Sequence, residues 1–182
     1  MLSILPSAIA LGMAGIVALF LTLSRRWADF DTEHLRYAVL IAAGTTGIQA
    51  IHFSEELHGG FHEQFPGVFG FPPMTLAFFV SFNVAWLGIW ALSTWGLARR
   101  RHVALFPLWF LGVAGVANGL LLAVSVAGYF PGLATSLLIA AVGALLLARL
   151  VHLDLGAARH WQGVCSPLGH DRGKDAIMSC RC

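Results

Sequence analysis

Five apolar stretches, each about 20 residues long, dominate this chain of 182 residues. They cover residues 4–23, 37–57, 74–97, 103–127 and 133–152. Because an α-helix rises about 1.5 Å per residue, about 20 residues cross the hydrocarbon core of a membrane. Membrane-spanning β-strands would instead show about ten residues of alternating polarity, which this sequence lacks. The pattern predicts an all-α, polytopic transmembrane bundle with five spans.

The charge content supports this prediction. Only 11% of the residues are charged and 58% are hydrophobic, whereas an average soluble domain carries about 25% charged residues. So few charges cannot cover the surface of a soluble globule. The composition therefore excludes a soluble globular enzyme, a disordered chain and a nucleic-acid-binding protein, and it makes the lipid bilayer the expected partner.

The basic residues predict the orientation of the bundle. All eleven lie in or beside alternate connectors, which follow the first, third and fifth spans. They are Arg25, Arg26, Arg36, Arg99, Arg100, Arg101, Arg149, Arg159, Arg172, Lys174 and Arg181. Positive residues mark cytoplasmic connectors, so the N-terminus is expected outside and the C-terminus in the cytoplasm. No charge precedes Arg25, which favours a retained first span over a signal peptide.

The domain organisation follows from these spans. Residues 1–155 are predicted to form the transmembrane domain, and residues 156–182 a flexible polar cytoplasmic tail that holds all three cysteines. The cysteine spacing matches no standard zinc pattern. Rich use of Ala, Gly, Leu and Arg beside a single Lys is typical of a bacterial gene of high GC content. The expected location is the bacterial cytoplasmic membrane.

Glycines within the spans predict close helix–helix contacts. Lipid gives helices no hydrophobic reason to associate, so small residues that let backbones approach often mark the interfaces. The glycines in question are Gly12, Gly15, Gly44, Gly47, Gly112, Gly115 and Gly119.

A stripe of ionisable residues near the outer end of the second span is the main candidate site. On a helix, His52 shares a face with Glu55 and Glu56, and Gln49 lies one turn earlier. An ionisable group in the bilayer costs at least about 2.5–3.5 kcal/mol and normally marks function or a specific partner. His52, Glu55 and Glu56 are therefore the predicted catalytic residues. The alternative is an interfacial helix end whose charges lie in water.

Polar residues at the same predicted depth extend this site. Asn83 and Asn118 fall in the outer halves of the third and fourth spans. Ser81, Ser125, Thr135 and Ser136 lie towards the same side. Polar groups from four helices at one depth predict an outward-opening pocket. Its predicted lining residues are Gln49, His58, Asn83 and Asn118.

Two chemistries suit the stripe. Glu55 and His58 have the Glu-x-x-His spacing of helical carboxylate metal sites, so His52, Glu55 and His58 are candidate ligands for a divalent metal. Alternatively, a desolvated carboxylate beside an imidazole forms an acid–base pair without metal. The first functional hypothesis is a membrane-embedded enzyme acting on a lipid-like or small apolar substrate. The second is a non-catalytic protein, a transporter component or scaffold, in which the stripe is structural.

The connector between the second and third spans is unusual in composition. Residues 59–73 are rich in Gly, Phe and Pro and contain neither Lys nor Arg. They predict a loop at the membrane interface, either a plain connector or a lid. Pro72 and Pro73 then precede the next helix, where a missing amide costs little.

The string His52-Phe53-Ser54-Glu55-Glu56 resembles the signature of the HXXEE family, small multi-span membrane proteins whose biochemical function is not established. The proline-rich connector before the span with Asn83 and the segment Tyr-Phe-Pro-Gly-Leu-Ala-Thr at 129–135 are also similar to that family. The resemblance covers roughly residues 37–152 and implies a polytopic membrane protein.

One position departs from the family pattern. The family is also associated with Asn-x-x-x-His, whereas here Asn118 is followed by Leu122 at the histidine position. If that histidine binds metal or transfers protons in relatives, this chain lacks the group. A weaker likeness, to the emopamil-binding type of sterol isomerase, is an analogy at the level of fold.

Overall fold

The computed structural model describes residues 5–24, 32–125 and 133–164, and these residues form six α-helices and no strand. The helices are α1 (Leu5–Leu23), α2 (Thr32–His58), α3 (Phe61–Val68), α4 (Leu76–Ala98), α5 (Leu105–Ser125) and α6 (Leu133–Val164). A 3-10 helix (His102–Ala104) leads into α5. The predicted all-α class is confirmed.

Three segments of the described chain are long and apolar enough to cross a membrane: Leu76–Ala98, His102–Gly119 and Thr135–Leu153. This supports an integral membrane protein. A shorter apolar helix covers Ala8–Leu23. Helix α2 has 27 residues, long enough to span, but it carries more polar residues than the other long helices. The count of five spans stays a prediction.

Helices α2, α4, α5 and α6 form a ring in which each packs against two neighbours, and α1 packs on α5 outside the ring. Contacts at one end of the ring involve the arginines. Arg100 Nη2 donates a hydrogen bond to Thr32 Oγ1 (3.1 Å), and the Arg149 guanidinium lies 5.8 Å from the centre of the Tyr37 ring. The start of α2, the connector after α4 and the second half of α6 therefore meet at this end, which we call the basic end.

Large apolar side chains fill the half of the ring nearest the basic end. The fully buried ones include Leu97, Leu105, Leu108, Trp109, Leu146 and Leu150. Since lipid is as apolar as these side chains, their contribution comes from close van der Waals packing rather than from removal of surface from water. The other half of the ring holds the polar residues of α2.

Helices α5 and α6 approach each other closely at the glycines of α5. A Cβ built on Gly112 would lie 2.6 Å from Leu147 Cδ2, and one on Gly119 would collide with the carbonyl oxygen of Ser136. Gly115 is similarly crowded by Ile139. The prediction of close approach is thus confirmed for the three glycines of α5.

The same prediction is wrong for the glycines of α1 and α2. A Cβ built on any of them would meet no atom within 4 Å; they are Gly12, Gly15, Gly44 and Gly47. Gly12, Gly44 and Gly47 lie on exposed faces, and Gly12 and Gly15 border the cavity described below. A small residue in a span permits a close contact but does not require one.

Helix α3 replaces part of the loop predicted at residues 59–73. Gly60, with φ of 71°, adopts the left-handed conformation between α2 and α3. The Phe61 and Phe65 rings then stack with centres 4.7 Å apart, and Phe61 packs on Phe79 of α4. Gly and Pro in this stretch favour a loop by local propensity. A helix of eight residues is stable here because its apolar face is packed against other residues. The local sequence does not predict this packing.

The end of α6 also differs from the prediction. The helix continues to Val164, although the irregular tail was expected from residue 156. Ala157 and Ala158 favour helix, and a single Gly156 costs only about 1 kcal/mol relative to alanine. Residues 165–182, with the three cysteines, lie outside the described residues.

The α5–α6 contact yields a direct prediction. Replacing Gly119→Ala should lower the free energy of unfolding by about 1–3 kcal/mol, because a methyl group must displace the backbone at Ser136. In the matched control Gly44→Ala, the added methyl group meets open space. The free energy of unfolding should therefore stay unchanged or rise slightly. Unfolding curves in detergent measure both, and equal behaviour of the two variants would contradict the contact.

Candidate functional site

The His52 side chain is the centre of a polar network inside the ring. It is fully buried. Its Nδ1 lies 3.0 Å from Thr135 Oγ1 on α6, and its Nε2 lies 3.1 Å from Asn118 Nδ2 on α5. The same Nε2 lies 3.1 Å from Glu56 Oε1, one turn further along α2. A single imidazole therefore joins three helices.

Glu55 completes the network through Thr135, whose hydroxyl donates to Glu55 Oε2. With its proton used in that bond, the hydroxyl oxygen accepts from His52, so Nδ1 carries a proton. The result is a continuous chain of polar contacts from Glu55 through Thr135 and His52 to Glu56. We call these four residues, with Asn118, the His52 network.

The two partners of Nε2 differ in a way that matters for chemistry. In the neutral ring, Nε2 is an acceptor and takes a hydrogen bond from the Asn118 amide. In the protonated ring, Nε2 is a donor and binds the Glu56 carboxylate. Both partners lie at 3.1 Å. The ring can therefore gain or lose a proton on Nε2 and still be hydrogen-bonded.

A cavity of about 530 Å³ lies beside the network, between α1, α4 and α5, with α2 and α3 closing one end. Its volume is within the usual range of about 300–1,000 Å³ for small-molecule sites. Aromatic residues form a large part of the wall: Phe61, Phe65, Phe78, Phe79, Phe82, Trp86, Trp90, Phe106 and Phe110. Its polar lining residues are Gln49, Glu56, Asn83 and Asn118. Glu56 and Asn118 belong to both the wall and the His52 network.

The cavity extends along α4, and its four polar lining residues lie in one half, which we call the polar end although phenylalanines line it too. On α4 its wall extends from Phe78 to Trp90, about 18 Å of helix. Gln49, Glu56, Asn83 and Asn118 all belong to the half of the ring away from the basic end. Trp90 and Phe106 mark the apolar end, where the buried Trp90 Nε1 has no hydrogen-bond partner among the described residues. This shape suits a long apolar molecule with a polar group at one end.

The structure places most of the predicted site residues either in the His52 network or in the cavity wall. His52, Glu55, Glu56 and Asn118 are brought together in the network. Gln49 and Asn83 line the cavity, and Asn83 Nδ2 donates to the carbonyl oxygen of Phe79 on its own helix (2.9 Å).

His58 is not part of the site. It is exposed, does not line the cavity, and its Nδ1 donates to the carbonyl oxygen of Ser54 at 2.7 Å. The physical reason is its register on α2. Six residues after His52, a helix has turned by about 240°, so His58 faces away from the network.

The predicted metal ligands are not assembled either. Among the described residues, no group of three or more His, Cys, Asp or Glu side chains is placed to hold a metal ion. His52, Glu55 and His58 therefore do not form a ligand set. Glu55 and His58 have the spacing of a metal site. However, the imidazole of His58 is hydrogen-bonded to the carbonyl oxygen of Ser54 and does not join Glu55 in a ligand set.

Two features of the site were not predicted from sequence. Thr135 was noted for its depth only, and its bridging role depends on the α2–α6 contact. The aromatic wall has a readable signal, since Phe78, Phe82, Trp86 and Trp90 recur every four residues along one face of α4. In an apolar span such a stripe equally fits a lipid-facing surface.

Comparison of the chain with known protein families, with curated proteins and with solved structures finds no match. The resemblance to the HXXEE family therefore rests on the residues quoted above.

The bridging role of Thr135 can be tested with two substitutions. Thr135→Val keeps the shape of the side chain but removes the hydroxyl, which leaves His52 Nδ1 and Glu55 without a partner. The free energy of unfolding should fall by about 1–3 kcal/mol. Thr135→Ser keeps the hydroxyl and should recover most of the loss. If serine and valine destabilise equally in detergent unfolding curves, the hydroxyl is not the important group.

Proposed function

We propose that this protein binds a lipid-like molecule in the aromatic cavity and acts on it by acid–base chemistry. The observation that carries the proposal is the position of Glu56. Its carboxyl group lies in the cavity wall and 3.1 Å from His52 Nε2. It is thus the ionisable group of the network that a bound molecule would meet.

Glu56 is the proposed catalytic residue. A carboxylate at the wall can take a proton from a bound molecule and pass it to Nε2 of the neutral His52, which leaves a carboxylate and an imidazolium. In the reverse direction the imidazolium returns the proton through Glu56. Asn118, also in the wall, can donate a hydrogen bond to an oxygen of the bound molecule.

His52, Thr135 and Glu55 are positioning residues behind the wall. His52 does not line the cavity, so its effect on a bound molecule passes through Glu56 and Asn118. The bond to Thr135 keeps the proton on Nδ1 and sets the orientation of the ring, and Glu55 in turn orients the hydroxyl. An acid–base group oriented by a second and a third residue is a common arrangement in enzymes.

The proposal includes five spans with the N-terminus outside, in the cytoplasmic membrane of a bacterium. The contacts of Arg100 and Arg149 at one end of the ring support this orientation, because positive residues favour the cytoplasmic side. The His52 network would then lie in the outer half of the membrane. The likeness to the HXXEE signature agrees with it, since that family consists of small multi-span membrane proteins.

A non-catalytic role is the second candidate. It is favoured by the complete hydrogen bonding of His52, whose two nitrogens both bind protein groups from neighbouring helices. In that case the network holds α2, α5 and α6 together. The protein is then a transporter component or a scaffold, and a molecule in the cavity is bound but not altered. The two candidates differ in whether a bound lipid is changed.

Reconstitution tests the catalytic proposal. Purified protein in vesicles of total bacterial lipid should convert at least one lipid species, detected by chromatography and mass spectrometry, which resolve isomers as well as mass changes. Glu56→Gln should lower the rate by at least about 100-fold, because the proton-transferring group is lost. The matched Glu63→Gln, at a residue whose side chain is 69% exposed, should not.

Two results would contradict the proposal. If no lipid changes with the unaltered protein, the non-catalytic candidate stands. If a lipid changes equally fast with Glu56→Gln, the reaction does not use the cavity wall.

Reporter fusions test the orientation. A reporter active only in the cytoplasm should work when fused after residue 182 and fail when inserted between residues 69 and 73. A reporter active only outside the membrane should give the opposite pattern. The same compartment for both positions would contradict the five-span arrangement.

A further inference from the structure

Among the residues that the structure describes, the wall of the cavity has a gap between α1 and α4. Helix α1 packs on α5, and α4 packs on α2 and α5, whereas α1 and α4 scarcely touch. Helix α1 contributes small residues here, and a Cβ on Gly12 or Gly15 would meet no atom within 4 Å. Across the gap, Phe78 is part of the cavity wall and is also 41% exposed at the surface.

The exposed faces of α1 and α4 are apolar. Ile16 and Phe20 on α1 and Leu92 on α4 are each more than 60% exposed. In a span, such side chains face lipid rather than water. A molecule can therefore reach the cavity sideways from the hydrocarbon region of the bilayer without crossing an aqueous phase.

The polar end of the cavity discriminates between headgroups by charge. Its polar lining residues are one carboxylic acid, Glu56, and three carboxamides, Gln49, Asn83 and Asn118, with no cationic side chain among the described lining residues. Glu55 adds a second carboxyl group behind the wall. A phosphate or carboxylate headgroup would meet like charge, whereas a hydroxyl or ammonium group can donate a hydrogen bond to Glu56.

The size of the cavity limits the ligand further. About 530 Å³ is the volume of a site for one drug-sized molecule, smaller than a site that encloses a phospholipid with two full chains. The aromatic wall continues for about 18 Å of helix along α4, which suits one extended hydrocarbon chain.

We propose that the cavity takes up, through the gap between α1 and α4, a single-chain amphiphile whose headgroup is a hydroxyl or an amine rather than a phosphate or carboxylate. This inference deepens the proposed function and rests on its binding step alone. The chain lies along the α4 aromatic residues, and the headgroup donates to Glu56.

Photolabelling in lipid nanodiscs tests the headgroup. The probe is a long-chain alcohol that carries a diazirine on its chain, and the labelled residues are mapped by mass spectrometry. Labels are expected on cavity residues such as Phe82 and Trp86. Hexadecanol and hexadecylamine should compete at concentrations at least about tenfold lower than palmitate, because like charge at the polar end opposes the acid.

Two matched variants test the gap. Gly15→Phe places a ring in the open space at the cavity wall and should reduce labelling at least about tenfold. Gly88→Phe makes the same change on an exposed face of α4 that does not line the cavity, where a Cβ also meets no atom within 4 Å, and should leave labelling unchanged. Unfolding curves in detergent establish that both variants are folded.

The outcomes separate this inference from the proposed function. Equal competition by palmitate would overturn the headgroup assignment, and labelling indifferent to Gly15→Phe would overturn access through the gap. Neither result would contradict the acid–base role proposed for Glu56. Conversely, selective labelling without any converted lipid in the vesicle assay would uphold this inference and remove the catalytic proposal.

Discussion

The buried imidazole of His52 is the interaction on which the site depends. A polar group buried between helices has no water to bind, so it must find its partner in the protein. His52 finds Thr135, Asn118 and Glu56, which lie on three helices. These bonds give α2, α5 and α6 a defined register, and they hold the Glu56 carboxyl group at the cavity wall.

The network can form because α5 and α6 approach closely beside it. Gly119 directly follows Asn118, and Ser136 directly follows Thr135; the two meet where a Cβ on Gly119 would strike the Ser136 carbonyl. A larger residue at Gly119 would push apart the helices that carry two of the three partners of His52. This tight backbone contact and the proposed chemistry therefore lie at the same place in the bundle. The half nearest the basic end is filled by large apolar side chains instead.

Much of the candidate site could be predicted because helical spacing is a local property. Placing Glu56 one turn from His52 requires only the sequence, and the 3.1 Å contact between His52 Nε2 and Glu56 Oε1 follows that spacing. Spacing could not rank the two glutamates. Glu56 borders the cavity, whereas Glu55 bonds to Thr135 behind it, because α4 and α5 cover one side of α2 and α6 the other. Spacing also could not exclude His58 from the site. Its side chain could make several hydrogen bonds, and only the structure shows that it binds Ser54.

The sequence by itself determined that the chain is helical, where most of the long helices lie, and which polar residues share a face of α2. Hydropathy and periodicity suffice for these because each depends on neighbours within a turn or two. Only the tertiary structure decided which faces meet. Gly112 lies in a tight contact and Gly12 beside an open cavity, although both are glycines in apolar helices. In a membrane the lipid is as apolar as the protein interior, so hydrophobicity does not mark the buried side of a helix, and the cavity becomes visible only once the helices are packed.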